Sequence, residues 1–92
     1  MRIIEYYIDS ALEGIAMTFN IMIKSSAQAQ KLSKIAEKYP FDIWIHGKSG
    51  QADAKSLLGL MLLTIENDVM LVVPDEADTK SLEEEIEEFR VE

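Results

Sequence analysis

Thr18-Phe19-Asn20-Ile21-Met22-Ile23-Lys24, followed at once by Ser25-Ser26, is the stretch whose reading decides the fold. In an extended chain Phe19, Ile21 and Ile23 fall on one face and Asn20, Met22 and Lys24 on the other, the pattern of a core strand. A serine at position 25 or 26 then offers an oxygen to a free amide of a helix's first turn. Leu32, Ile35, Ala36 and Tyr39 recur at helical spacing behind it, and Pro40 stops the helix by excluding its predecessor from the helical region. A strand that runs straight into an amphipathic helix marks a mixed α and β chain.

The pattern repeats downstream. Phe41 to His46 predicts a second strand, with Phe41, Ile43 and Ile45 on one face and Asp42, Trp44 and His46 on the other. Gly47-Lys48-Ser49-Gly50 reads as a hairpin turn into a short third strand, Gln51 to Ala54. Ser56 caps a short, strongly apolar helix from Leu57 to Leu63. Asn67-Asp68 turns the chain into a strand from Val69 to Val73, and Thr79 or Ser81 starts a last helix reaching about Phe89. The order is β-α-β-β-α-β-α. Upstream, residues 1–17 allow two readings. Arg2 to Ile8 suits a strand, whereas Ile4, Ile8, Leu12 and Ile15 suit a helical stripe, and Ser10 with Glu13 matches a capping box for a short helix starting at Ser10.

Ninety-two residues, 48% of them hydrophobic, make one domain with one modest core. Cysteine is absent, which excludes disulfides, thiolate metal sites and thiol catalysis. Residues 1–64 hold 7 Lys/Arg and 6 Asp/Glu, while residues 65–92 hold 2 and 11, so the formal charge of −8 lies at the C-terminal end. Phosphate binding needs a basic patch, so neither nucleic acid nor an anionic membrane is expected as a partner. Arg2, Glu5 and Asp9 are unlike a secretory signal, and the apolar run Leu57 to Ile65 is too short to span a bilayer. The expectation is a soluble, cytoplasmic protein.

Ala52-Asp53-Ala54-Lys55-Ser56-Leu57-Leu58-Gly59-Leu60-Met61, set in that element order, resembles the regulatory-serine segment of the histidine-containing phosphocarrier (HPr) family of the sugar phosphotransferase system. In that family a serine caps the second helix and apolar side chains follow it. The resemblance covers about residues 18–92 and leaves 1–17 as an N-terminal extension. It implies an α+β fold, an open-faced β-sandwich in which three helices cover one face of a four-stranded antiparallel sheet, in a bacterial protein. It also implies an active centre where the first strand meets the first helix, built from a histidine, an arginine two residues on, and then a proline. Aligned back from Ser56, this centre falls on Ser25, Ser26, Ala27 and Gln28, and none of these residues fits. A carrier needs a ring nitrogen that accepts and releases a phosphoryl group, and a cation to neutralise it. The chain therefore resembles the histidine-less members of the family, regulatory paralogues that keep only the serine.

Each candidate residue has a plainer reading beside the functional one. Ser25 and Ser26 are first of all helix caps; the functional reading keeps an anion site there, with Lys24 and Lys31 nearby. Ser56 is a cap and, through the resemblance, a regulatory phosphorylation site, with Lys55, Leu57, Leu58 and Met61 as the partner-binding surface. The helix of Leu57 to Leu63 carries too many apolar residues for one buried side, so one or two stand exposed. His46, the sole histidine, reads as a sheet histidine facing away from the helices, with no second ligand at zinc spacing. Met22, Trp44, Met70 and Val72 fall on the face that the helices leave open, which predicts that residues 1–17 or a second copy of the chain covers them.

No nucleophile–base pair or phosphate loop emerges, and no residue pattern calls for a metal or a cofactor. The chain reads as a non-catalytic regulatory or interaction domain whose partner is an HPr-kinase-like or transcription-regulator-like protein. The alternatives are an atypical phosphocarrier and a homo-oligomerisation module that dimerises through the open sheet face.

Overall fold

In the computed structural model the described residues are 5–9, 14–48, 50–63, 68–75 and 77–91. The strand that opens the domain, β2 (Gly14–Met22), follows β1 (Glu5–Asp9), and the two pair antiparallel from Glu5 opposite Thr18 to Asp9 opposite Gly14. Helix α1 (Ser26–Glu37), β3 (Trp44–Gly47), β4 (Gly50–Asp53), α2 (Leu57–Leu63), β5 (Asp68–Pro74) and α3 (Lys80–Glu85) follow. A 3-10 turn, Glu87–Phe89, closes the chain's last helical stretch. The sheet order is β1-β2-β5-β3-β4, with every neighbouring pair antiparallel. The four expected strands are present, and β1 adds a fifth along the free edge of β2.

Residues 16–19 are all buried and the ladder with β5 runs on to Ala16 opposite Pro74, so β2 begins at Gly14, four residues before the expected Thr18. Residues 5–9 run as a strand, not a helix, because Gly14–Thr18 offers an unpaired edge for them. The short helix expected from Ser10 falls on residues 10–13, outside the described residues, and Gly14 after it is already strand. The C-terminal tail uses the remaining edge of β2: Arg90 bridges Ile21, and the Val91 amide donates to the Asn20 carbonyl at 3.0 Å. Gly50 sits at φ 150, a backbone state that side chains resist, where β4 leaves the hairpin.

The core lies between the sheet and the helices. Phe19, Ile21 and Ile23 from β2 and its exit, Ile45 from β3, and Val69, Leu71 and Val73 from β5 meet Leu32 and Ile35 of α1, Leu60 and Leu63 of α2, and Leu82, Ile86 and Phe89. Burying each large side chain is worth about 1.5–3 kcal/mol. On the opposite face the expected bare apolar set is partly closed over. Val72 is 0% exposed, with its neighbours Ala16 at 0% and Thr18 at 3%, while Met22, Trp44 and Met70 are half-buried. Residues 5–9 lie beside β2 as a strand. The expected packing of Ile3, Ile4 and Leu12 on this face lies outside the described residues.

Candidate functional site

Helix α1 begins where β2 ends, so its first turn and the residues before it form one exposed corner. Ser25 has an extended backbone (φ −155, ψ 166), and its hydroxyl accepts the Gln28 amide at 3.2 Å. The Gln28 carboxamide reaches back to accept the Lys24 amide at 2.7 Å. The pair acts as a variant of the capping box, satisfying amides from both sides of the helix start. Ser25, Ser26 and Ala27 are exposed and Gln28 is half-buried. Lys31, one turn on, is engaged by Glu88 at 2.8 Å. The corner thus holds two hydroxyls, a methyl and an amide, with its nearest helix cation already neutralised.

The second candidate lies against the first. The Ser33 hydroxyl on α1 donates to the Lys55 carbonyl at 3.4 Å, which seats the start of α2 on the middle of α1. Ser56 is exposed, and its hydroxyl accepts the Gly59 amide at 3.4 Å, as the expected cap of α2. Lys55, expected as part of the partner-binding surface, instead turns its ammonium to the Phe41 carbonyl at 2.9 Å and anchors the loop before β3. Its own amide donates to Asp53 Oδ1 at 2.9 Å.

Beyond the cap, α2 turns most of its apolar surface outward. Leu60 and Leu63 are buried, whereas Leu57 is 37%, Leu58 73%, Met61 39% and Leu62 68% exposed. More residues stand out than the one or two expected, because a seven-residue helix touches the sheet along a single line. Leu62 was missed as a surface residue. The signal for it was its place four residues after Leu58 on the same side. His46 sits on β3 on the helix-free face, half-buried and opposite Met70, as expected from the alternation. No helix among the described residues is long and apolar enough to cross a membrane.

An antiparallel sheet with helices on one face, two of them starting at exposed serine caps, defines an open-faced α+β sandwich of the phosphocarrier class. The chain belongs to the PTS-HPr family: the family model described as "PTS HPr component phosphorylation site" matches residues 26–90, starting one residue after Ser25. Among solved structures, HPr-C-His from Thermoanaerobacter tengcongensis is similar, at 28% identity and a TM-score of 0.57, over 76% of this chain and 82% of that one. No curated protein matches the chain. HPr proteins are phosphocarriers rather than enzymes, and they act through other proteins of the phosphotransferase system.

Proposed function

We propose that this HPr-family protein is a cytoplasmic regulatory docking module that binds a protein partner through α2 and does not relay a phosphoryl group as a carrier. The observation that carries the reading is the uncharged outer side of α2, where Leu57, Leu58, Met61 and Leu62 stand together in solvent. An exposed apolar cluster rimmed by polar residues is the mark of a protein interface. The corner at Ser25, Ser26, Ala27 and Gln28 supports the second half of the reading. A hydroxyl ester releases a phosphoryl group poorly, and the Gln28 amide is already occupied by Ser25.

Ser56 is the regulatory residue in this reading. A phosphate there adds nearly two negative charges at the start of α2 and alters the surface that a partner meets at Leu57, Leu58 and Met61. With the Lys55 ammonium held by Phe41, the modification acts mainly by changing charge beside the patch. The partner classes are an HPr-kinase-like enzyme and a transcription-regulator-like protein.

The experiment is calorimetric titration of the protein with purified bacterial HPr kinase, alongside Leu58→Glu and a Leu62→Glu variant. Binding by the wild type and its loss in both variants supports the reading. Equal binding by all three chains, or none by the wild type to this kinase or to a carbon-regulated transcription factor, refutes it.

A further inference from the structure

Strand β2 outruns the strand beside it. β1 accompanies it from Gly14 to Thr18, where Glu5 stands opposite Thr18, while β2 continues to Met22. The edge beyond Thr18 is taken by the other end of the chain: Arg90 bridges Ile21, and the Val91 amide donates to the Asn20 carbonyl at 3.0 Å. Two segments far apart in sequence therefore share one edge of one strand, and both run antiparallel to it.

Counting back from Glu5 in the same register sets Ile4 opposite Phe19, Ile3 opposite Asn20, Arg2 opposite Ile21 and Met1 opposite Met22. The tail sets Val91 opposite Asn20, Arg90 opposite Ile21 and Phe89 opposite Met22. Both segments bring the same series to the same places in the same direction: a large apolar residue, an arginine and a β-branched aliphatic residue. Residues 1–4 themselves lie outside the described residues. The Asn20 carbonyl points to this edge, since it accepts the Val91 amide. In an antiparallel ladder a residue directly opposite such a carbonyl donates to it, so Ile3 and Val91 have one acceptor between them.

The tail's hold is limited. Its pairing is an isolated bridge, whereas β1 is held by an unbroken ladder from Glu5 to Asp9. Arg90 lays its guanidinium over Phe19, 5.1 Å from the ring centroid, but its Nε and Nη1 are buried with no hydrogen-bond partner among the described residues. Buried donors left unsatisfied cost free energy, and charged ones cost more. Phe89 is anchored in the core at 2% exposure, so the tail leaves the edge by moving from Arg90 onward.

We infer that the edge of β2 from Phe19 to Met22 is a strand-docking site, and that residues 1–4 of this chain exchange with the Arg90–Val91 tail as its occupant. The exchange lengthens a ladder that already exists, so it closes no new loop. Arg2 takes the place of Arg90 opposite Ile21, and the Ile3 amide takes the Asn20 carbonyl from Val91. The edge stays covered in both arrangements, which keeps it from pairing with other chains. The site does not depend on the docking surface of α2.

The test uses the whole chain, which has no cysteine of its own, so paired thiols report on this edge alone. Residues directly opposite in an antiparallel pair stand about 4.5–5.5 Å apart at Cα, within reach of a disulfide. Ile3→Cys is combined with Asn20→Cys, and Glu5→Cys with Asn20→Cys serves as the out-of-register control. Asn20 is exposed, so its replacement leaves the core intact. Both pairs are equilibrated in a glutathione redox buffer, with and without Val91→Pro, which removes the tail's amide donor. Arg90 is already extended (φ −66, ψ 141), as a residue before proline must be. The expected result is an intrachain disulfide between positions 3 and 20 with an effective thiol concentration roughly tenfold or more above the control pair. Val91→Pro raises it further. In the disulfide-locked chain the Val91 amide exchanges with solvent as an unbonded amide, while the amides of β5 keep their protection. Equal effective concentrations for the two pairs, no effect of Val91→Pro, a disulfide that joins two chains, or a Val91 amide still protected in the locked chain overturns the inference.

Discussion

Ser25 and Ser56 cap helices in the same way, yet they differ in what surrounds them. Ser25 works with Gln28, which returns a bond to Lys24, while Ser56 acts alone on the Gly59 amide. Replacing Ser56 with Ala is expected to cost about 1 kcal/mol in urea unfolding, the usual worth of such a cap. An unchanged midpoint would show that the hydroxyl serves no structural purpose. These caps were legible because they depend on residues three apart in the sequence. The bridge between the segment just after α1 and the end of α3 was not, since Tyr39 and Glu85 lie 46 residues apart.

There the Tyr39 hydroxyl donates to the Glu85 carboxylate, which also takes Lys38 at 2.6 Å. The bonds from Lys38 and then Tyr39 hold the Glu85 carboxyl below its usual value of 4.5. Burial, then the bond to Glu85, pushes Tyr39 from 10.0 to about 12. Glu85's contribution is present above pH 4.5 and lost as pH falls, whereas Tyr39's is present below pH 10.0 and lost as pH rises towards about 12. The stability gap between wild type and Tyr39→Phe should therefore be widest near neutrality and narrow at both extremes. A gap independent of pH would contradict the assignment.

At the scale of elements, α2 decides how the molecule meets others. Leu60 and Leu63 face the core, and the remaining large side chains face solvent. Leu60→Ala is expected to cost about 2–5 kcal/mol, and Leu58→Ser less than about 0.5 kcal/mol, in the same unfolding assay. Similar costs at both positions would mean that the helix is seated differently. Gly59 sets how closely α2 approaches β4, since a Cβ there would lie 3.0 Å from that of Ala52. The periodicity of Leu57 to Leu63 showed a helix but not which side was buried, because leucine occupies nearly every position. The segment before β2 was undecided for a related reason. Its strand exists by pairing with Gly14–Thr18, and such pairing depends on a register that local propensity does not encode.

For the molecule as a whole, the acidic end is tied into the fold: Glu85 and Glu88 reach across to Lys38 and Lys31 and join the C-terminal helices to α1 and its C-cap. The sheet's other face is closed over Ala16, Thr18 and Val72. Deleting residues 1–13 removes β1, and the expected outcome is lower stability and stronger acrylamide quenching of Trp44. Neither change would mean that the segment contributes nothing to this face. The element order and the serine-capped second helix were enough to place the chain among HPr-like proteins, since both are local patterns in series. What the chain does with that fold turns on the corner at Ser25 to Gln28, where the family resemblance leads one to look for a carrier histidine. The measurement that tests this most directly is incubation with phosphoenolpyruvate and the general phosphotransferase enzyme, with an authentic HPr as positive control, followed by mass spectrometry under conditions that preserve acid-labile phosphate. The account predicts no phosphorylated species of this chain while the control is fully labelled. A phosphohistidine at His46, or a phosphate transferred to Ser25 or Ser26, would contradict it.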